Sequence, residues 1–294
     1  MSKKYLAATV TALVLTFSGN AGANDMDAAM AAFDQRHYAA ARPLLERLQD
    51  KRADEPQVLF RLAVSQFRTG DLAAAEGTLA ELLDVAPDSA DAHYLQGIIE
   101  ITRLNEVSMF RKVGVARSAV AAWEQAVRLN PAHVPALYAL FSFYANAPGF
   151  AGGDKDRAKE LVTRIAQQRE SYAELARAIL ALQQKQESQA ISHFQRAVEL
   201  EPEAAAPRFA LAQHYMQVED YPAAVQALKA FEAVPKQWDD PDQPTTLYFL
   251  GAAYKGAGDI AAARESLQAA LSGEPNGRIR ELAEKALKGL PDTT

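Results

Sequence analysis

Small and large apolar residues recur along this chain at a spacing that predicts a series of helical hairpins. A small residue is followed four positions later by a large one, and an apolar residue follows three positions after that. Positions three and four apart share one face of an α-helix, so the pattern predicts amphipathic helices. The small residues are Ala41, Ala75, Ala119, Ala158, Ala190, Ala224 and Ala263. Their successive spacings are 34, 44, 39, 32, 34 and 39 residues, which indicates a repeat with a base period of 34.

Each unit has the features of two helices packed against each other. Small residues on the first helix let the two helix axes approach closely. These residues are Ala63, Gly97, Ala178, Ala212 and Gly251. A pair such as Gly70-Asp71 or Gly258-Asp259 ends the first helix, and its carboxylate can cap the second. One pair cannot cover its own apolar face, so we expect the units to stack.

The last unit carries the positions of a known repeat most completely. They are Leu247, Leu250-Gly251, Tyr254, Gly258-Asp259, Ala263, Leu267, Ala270 and Pro275. This arrangement resembles the tetratricopeptide repeat, in which Leu-Gly and Tyr precede an Ala-x3-large pair and a closing Pro. The resemblance covers residues 25–276. It implies an all-α fold, an α-solenoid of about seven helical hairpins with a C-terminal capping helix.

The N-terminal residues have the form of a secretory signal peptide. Lys3 and Lys4 precede a short apolar run, and Ala21-Gly22-Ala23 offers a small-x-small cleavage site. The run is shorter than the ~20 residues of a membrane span, although an uncleaved anchor is the alternative. We therefore predict a signal peptide at residues 1–23, the repeat array at 24–275, and the capping helix with a short tail at 276–294.

Composition narrows the location and the partners. The chain has no cysteine, which excludes disulfides and a lipid-modified cysteine. It has no Asn-x-Ser/Thr acceptor for glycans either. Together with export, these absences favour a protein of the bacterial periplasm that is soluble and carries no lipid anchor. The formal net charge of −6 and the lack of a basic stripe argue against nucleic acid as a partner.

No group of residues in the sequence has the spacing of a catalytic or metal site. The five histidines form none of the pairings that bind zinc on a helix, and no serine-hydrolase motif occurs. We predict that the protein is not an enzyme and binds no metal or cofactor. A carboxylate pair assembled across repeats needs no local motif, so a cryptic glycan hydrolase stays open as a remote alternative.

The resemblance also implies where a partner would bind. In tetratricopeptide repeat proteins the ligand usually lies along the groove lined by the first helix of each unit. The corresponding positions here are Phe60, Phe67, Tyr94, Tyr138, Tyr172, Phe209, Met216 and Tyr248. Rigid aromatic side chains can anchor an extended peptide. The Lys/Asn/Arg set that clamps a C-terminal carboxylate in some relatives is missing, which favours a neutral ligand. We predict a peptide-binding adaptor or scaffold of a cell-envelope assembly; the alternative is that these side chains are core.

Two units carry extra residues between their helices. Unit three gains about ten residues around 105–114, and unit four gains about five around 146–154. The second insertion resembles an Ala-Pro-Gly-x-x-Gly-Gly element of some exported bacterial tetratricopeptide proteins. Insertions often gather on a functional face. The candidate contacts at this edge for a protein partner are Phe110, Arg111, Lys112 and Phe150. For an envelope glycan they are Phe110, Phe150, Asn105 and Asn146. The alternative is that Phe110 and Phe150 pack together and seal the loops.

A third irregularity is the stretched junction between units six and seven, residues 235–244. It holds three acids beside Trp238, but their spacing fails the calcium-binding loop and prolines interrupt it. We predict that this segment is a linker.

Overall fold

The computed structural model describes residues 21–51, 54–105, 107–273 and 275–291, and these residues form fifteen α-helices without a strand. Most of the predicted signal peptide lies outside the described residues. The helices are α1 (Ala21–Asp34), α2 (Tyr38–Gln49), α3 (Pro56–Arg68), α4 (Leu72–Val85), α5 (Ala90–Thr102), α6 (Met109–Leu129), α7 (Val134–Asn146), α8 (Lys155–Gln168), α9 (Glu170–Gln183), α10 (Glu187–Leu200), α11 (Ala205–Gln217), α12 (Tyr221–Glu232), α13 (Gln243–Gly256), α14 (Ile260–Ser272) and α15 (Gly277–Lys288).

The helices pair in chain order into seven hairpins. The most extensive contacts join α1 to α2, α3 to α4, and so on to α13 and α14, while α15 packs on the last hairpin. First helices also contact the first helix of a neighbouring hairpin, as α3 does with α5 and α7 with α9. They therefore line the inner, concave side of the array. The predicted all-α solenoid of seven hairpins with a C-terminal capping helix is confirmed.

The turn between the two helices uses a left-handed residue five positions before the repeated alanine. Gly70 and Gly258 hold this conformation with φ of +86° and +84°. Asp71 then accepts a hydrogen bond from the Ala74 amide at 3.1 Å and so caps α4, as the Gly-Asp pair predicts. Arg36, Lys185 and Glu219 take the same conformation in their own hairpins. A non-glycine residue there costs about 1–2 kcal/mol, which the packed hairpins on either side offset.

Close packing within a hairpin depends on a small residue that faces a large one. A Cβ atom added at Gly97 would lie 2.1 Å from Nε1 of the buried Trp123. A Cβ at Gly251 would lie 2.6 Å from Cγ of Leu267. The large residue of the pattern therefore sits directly on the glycine of the first helix, and this contact sets the distance between the helices.

The insertion of unit three is not the loop that the spacing predicts. Only a short 3₁₀ turn (Arg103–Asn105) and the residues up to Ser108 separate the two helices described there. The rest of the insertion extends α6, which has 21 residues where the other second helices have 12 to 14. No proline or turn sequence interrupts residues 109–114, so the helix begins early.

The array curves until its two ends meet. A Cβ atom at Gly70, in the turn of the second hairpin, would touch Cβ of Asn276 at the start of α15. A cavity of about 1180 Å³ lies between the first and last units and is bounded by the α1–α2 turn, the end of α3 and the residues before α13. The first and last units therefore bound this cavity, which is partly open to solvent.

His214 on α11 makes stability depend on pH. Its ring is 3% exposed and stacks on Phe194 at 5.3 Å. Burial lowers its pKa below the usual 6.5, so the unfolded chain takes up a proton first as the pH falls. We expect the free energy of unfolding to fall below pH 6.5, and His214→Phe, which retains a ring, to remove part of that loss. Denaturant unfolding of both proteins at pH 8 and pH 5.5 measures it. Equal losses in the two proteins would contradict the expectation.

Candidate functional site

The predicted groove residues all lie on the first helices of their hairpins, and none of them is exposed. Tyr94 is buried, at 7% exposed. The other seven are half-buried: Phe60, Phe67, Tyr138, Tyr172, Phe209, Met216 and Tyr248. Each of the eight side chains packs in or against one of the buried apolar clusters. We call the inner face of α3, α5, α7 and α9 the concave groove.

The residues between α12 and α13 occupy this groove. Residues 233–242, here called the junction segment, have no helix and carry Trp238 onto the first half of the array. The Trp238 ring meets Phe60 edge-on at 5.7 Å and Tyr94 at 5.8 Å between centroids. Trp238 also packs against both of the largest buried clusters, one built from α1 to α5 and one from α5 to α9. Phe60 and Tyr94, two of the predicted groove residues, are therefore already in contact with an aromatic side chain of the same chain.

Polar contacts hold the part of the junction segment that follows Trp238. The Tyr94 hydroxyl donates a hydrogen bond to Asp239 Oδ2 at 3.0 Å. The guanidinium groups of Arg68 and Arg36 both donate to the carbonyl oxygen of Asp240, at 2.9 and 2.6 Å. Arg36 also donates to the Pro241 carbonyl at 3.1 Å. Side chains from the first two hairpins thus bind the backbone that follows the tryptophan.

One ion pair completes these contacts. Arg68 lies 3.6 Å from the carboxylate of Asp242, and the two side chains are 12% and 22% exposed. Burial lowers the pKa of Arg68, while the Asp242 charge opposes that shift. Asp242 also accepts a hydrogen bond from the Thr245 amide at 2.9 Å and so caps α13. The same carboxylate therefore joins the start of α13 to the end of α3.

Asp240, the third acid of the junction segment, makes its side-chain hydrogen bond within the segment. Asp240 is 8% exposed, and its carboxylate accepts a hydrogen bond from the Gln237 amide at 2.7 Å. Burial raises its pKa, and the neighbouring Asp239 adds to that effect. Among the residues that the structure describes, no three metal-binding side chains come together. The prediction that the segment is a plain linker is wrong, because it is a built part of the groove.

The second half of the groove carries its own aromatic contacts. Tyr138 and Tyr172 meet edge-to-face at 5.5 Å, and the Arg169 guanidinium lies 4.8 Å from the Tyr172 ring centroid. Burial raises the pKa of Tyr138 to about 12, so its hydroxyl stays protonated at neutral pH. Further along, Phe209 packs on Phe249 at 5.5 Å and on Phe231 at 5.2 Å. Phe209, on α11, thus belongs to the local core of this part of the array, outside the concave groove as defined above.

The edge with the two insertions presents one exposed aromatic side chain. Phe150 is 81% exposed, so it does not seal the loop, and that alternative is wrong for this residue. Gly152 holds φ at +106°, and a Cβ at Gly153 would lie 1.8 Å from the Ala147 carbonyl oxygen. The glycines of the Ala-Pro-Gly-x-x-Gly-Gly element thus permit a tight turn. Arg111 is exposed and Lys112 half-buried. Phe110 lies in α6, and its side chain is outside the described part of the structure.

Known proteins identify the repeat. Tetratricopeptide repeat models match residues 23–99, 181–237 and 244–276, which together make more than half of the chain. The chain belongs to the tetratricopeptide repeat family. No curated protein matches its sequence significantly.

Solved structures show the same fold at low sequence identity. A thermophilic tetratricopeptide repeat protein of Thermus thermophilus has 20% identity and a TM-score of 0.55, over 66% of this chain and 98% of that one. A tetratricopeptide repeat protein of Parabacteroides merdae has 17% identity and a TM-score of 0.52, over 92% of this chain and all of the other. The Cut9–Hcn1 hetero-tetramer of the APC/C has 16% sequence identity and a TM-score of 0.51, over 88% of this chain and 48% of that one.

Tetratricopeptide repeats are in general protein-binding scaffolds without catalytic activity, and the fold of this chain suggests such a scaffold. Among the described residues, no helix is both long and apolar enough to cross a bilayer. The tetratricopeptide repeat pattern predicts a binding site on the first helices. It does not identify Arg36 and Trp238, because these residues lie outside those helices. One signal was present in the sequence: a tryptophan between prolines and acids is unusual in an exposed linker.

Proposed function

We propose that this tetratricopeptide repeat protein is an exported adaptor that binds an extended peptide of a partner protein in its concave groove. The observation that supports it best is the occupied groove itself. An irregular stretch of chain lies on α3 and α5, with its aromatic side chain between Phe60 and Tyr94 and its backbone carbonyls on two arginines. Such a combination of side-chain pocket and backbone recognition is how extended peptides are held.

The location of the protein is part of the same proposal. The signal-peptide pattern of residues 1–23 and the lack of cysteine support export to a bacterial periplasm. Helix α1 begins at Ala21, so cleavage after Ala23 would remove three residues from its first turn. The partner would then be a protein of the cell envelope, and the adaptor one component of an envelope assembly.

Site-specific photo-crosslinking tests the adaptor and its site together. We expect p-benzoylphenylalanine at Phe60, inside the groove, to capture a partner protein from the envelope fraction of the source cell. The same amino acid at Val85, which is 45% exposed at the end of α4, is the control for surface collisions. Mass spectrometry identifies the adducts. Equal capture at both positions, or none at Phe60 even when Trp238→Ala weakens the segment that covers it, would contradict a peptide site in the groove.

A second candidate function is the binding of an envelope glycan at the loop edge. The exposed ring of Phe150 favours it, because an aromatic face on a rigid turn can stack on a sugar. The crosslinker at Phe150 is therefore the third position of the same experiment. Glycan adducts at Phe150, with nothing at Phe60, would replace the adaptor function with this one.

A further inference from the structure

We propose that the concave groove recognises a peptide in which an aromatic side chain is followed by carboxylates, and that the junction segment is the chain's own copy of that ligand. A partner peptide of this chemistry would bind after the junction segment has left the groove. The inference rests on the proposed function and adds the chemistry of the ligand to it.

The length of the junction segment sets it apart from the other connections between hairpins. Ten residues separate α12 from α13, whereas six separate α2 from α3 and one to four separate the helices at the remaining junctions between hairpins. Four residues suffice to join two hairpins, so the extra length is not needed for the connection. Pro235 and Pro241, which have no amide hydrogen, flank a turn over residues 237–240 that the Asp240 amide closes on the Gln237 carbonyl at 3.2 Å. The sequence therefore supplies a short peptide that presents Trp238 on a turn and is tethered at both ends.

The contacts of the junction segment match those of a bound peptide rather than those of a core element. Trp238 is half-buried, and Gln237 and Asp239 on either side are exposed. One face of the segment meets the groove, and the other is open to solvent. Tyr94 binds the carboxylate after the tryptophan, and Arg36 and Arg68 bind the next carbonyl. Aromatic insertion with recognition of the following backbone is typical of peptide binding.

Charge decides which peptide can replace the segment. The groove wall at this end carries Arg36 and Arg68, while the segment carries Asp239, Asp240 and Asp242. An uncharged occupant would leave Arg68, with a side chain 12% exposed, without its counter-charge. The occupant that the structure contains carries three carboxylates, so we expect a peptide that replaces it to be acidic, in contrast to the neutral ligand that the sequence favours.

Tethering makes the junction segment a strong competitor. A peptide joined to its site by short connections has an effective concentration on the order of millimolar. The apparent affinity for an external peptide is then reduced by the fraction of molecules in which the groove is free. Weakening the segment should raise that fraction without changing the groove wall, and this is the measurable consequence of the proposal.

The test uses a fluorescein-labelled peptide, Lys-Gln-Trp-Asp-Asp-Pro-Asp, which has the sequence of residues 236–242. Fluorescence anisotropy measures its Kd for the parent protein and for Trp238→Ala. We expect the variant to bind about tenfold more tightly or better, because its own segment no longer fills the site. A peptide with alanine in place of its tryptophan should bind neither protein. Adding Phe60→Ala to the variant should abolish binding.

Asp239→Asn provides a milder change in case Trp238→Ala loses helix content by circular dichroism. It retains the tryptophan and removes only the carboxylate that Tyr94 binds, so the peptide should bind it a few-fold more tightly than the parent. Equal affinities of the parent and the folded variants, or no binding to any of them, would overturn the proposal.

The two proposals fail in different ways. A partner captured at Phe60 by a protein that ignores the peptide would leave the adaptor standing and overturn the aromatic-acidic ligand. Tighter peptide binding by Trp238→Ala without any captured partner would support the ligand chemistry and count against the adaptor.

Discussion

Replacing Gly97 with alanine is expected to lower the free energy of unfolding by about 1–3 kcal/mol, the usual cost of overpacking a core. The added methyl group would lie 2.1 Å from Nε1 of Trp123, which is 4% exposed between α5 and the next hairpin. Trp123 has to leave its rotamer, or α5 and α6 have to separate. Denaturant unfolding followed by circular dichroism measures the loss.

The matched control for this change is Gly77→Ala, the same substitution in the middle of α4. No atom lies within 4 Å of the Cβ position at Gly77. Alanine there removes a helix-destabilising glycine and should add about 0.5–1 kcal/mol. If both variants shift stability in the same direction, the Gly97–Trp123 contact is not what sets the distance between these helices.

A double-mutant cycle between Arg68 and Asp242 is expected to give a coupling energy of about 1 kcal/mol, within the range found for contacting residues. Arg68→Met alone removes the ion pair and the hydrogen bond to the Asp240 carbonyl, at a cost of roughly 1.5–3 kcal/mol. Asp242→Asn removes the charge but leaves an amide oxygen that can cap α13. The cycle therefore isolates the contact across the array from the local cap.

A coupling energy of zero in this cycle would contradict the contact between Arg68 and Asp242. If the two single changes add without coupling, the junction segment is not bound to α3 in solution, and the closed arrangement of the array is wrong. Repeating the cycle in high salt checks its origin, because a largely buried pair is screened far less than exposed charges are.

Periodicity in the sequence predicts the hairpins because their contacts are local. Ala75 and Leu79 meet α3 across one short turn, and Gly97 meets Trp123 in the same way. Each repeat thus encodes its own packing within about 34 residues. The spacing of the repeats predicts a loop at 105–114 because it reports length alone, whereas Arg111, Lys112 and Val113 are compatible with a helix and extend α6.

Local sequence patterns do not predict whether the concave groove is occupied. Tyr94 and Asp239 are 145 residues apart in the chain, and Arg36 and Asp240 are 204 apart. Whether these groups meet depends on how far each hairpin rotates relative to the next, and small differences accumulate over the successive hairpins. The sequence identifies groove positions such as Tyr94. It does not show that a distant segment of the same chain contacts them, because that contact depends on the curvature of the whole array.

The contact between the two ends of the array also fixes how many repeats the protein can have. In an open solenoid each unit meets only its neighbours, so a duplicated or lost hairpin changes the length and little else. Here one extra hairpin between α3 and α12 would rotate Trp238 away from Phe60 and separate Asp242 from Arg68. A chain with a hairpin added or removed between α3 and α12 is therefore expected to lose the contacts of the junction segment, whereas substitutions and loop insertions elsewhere leave them in place.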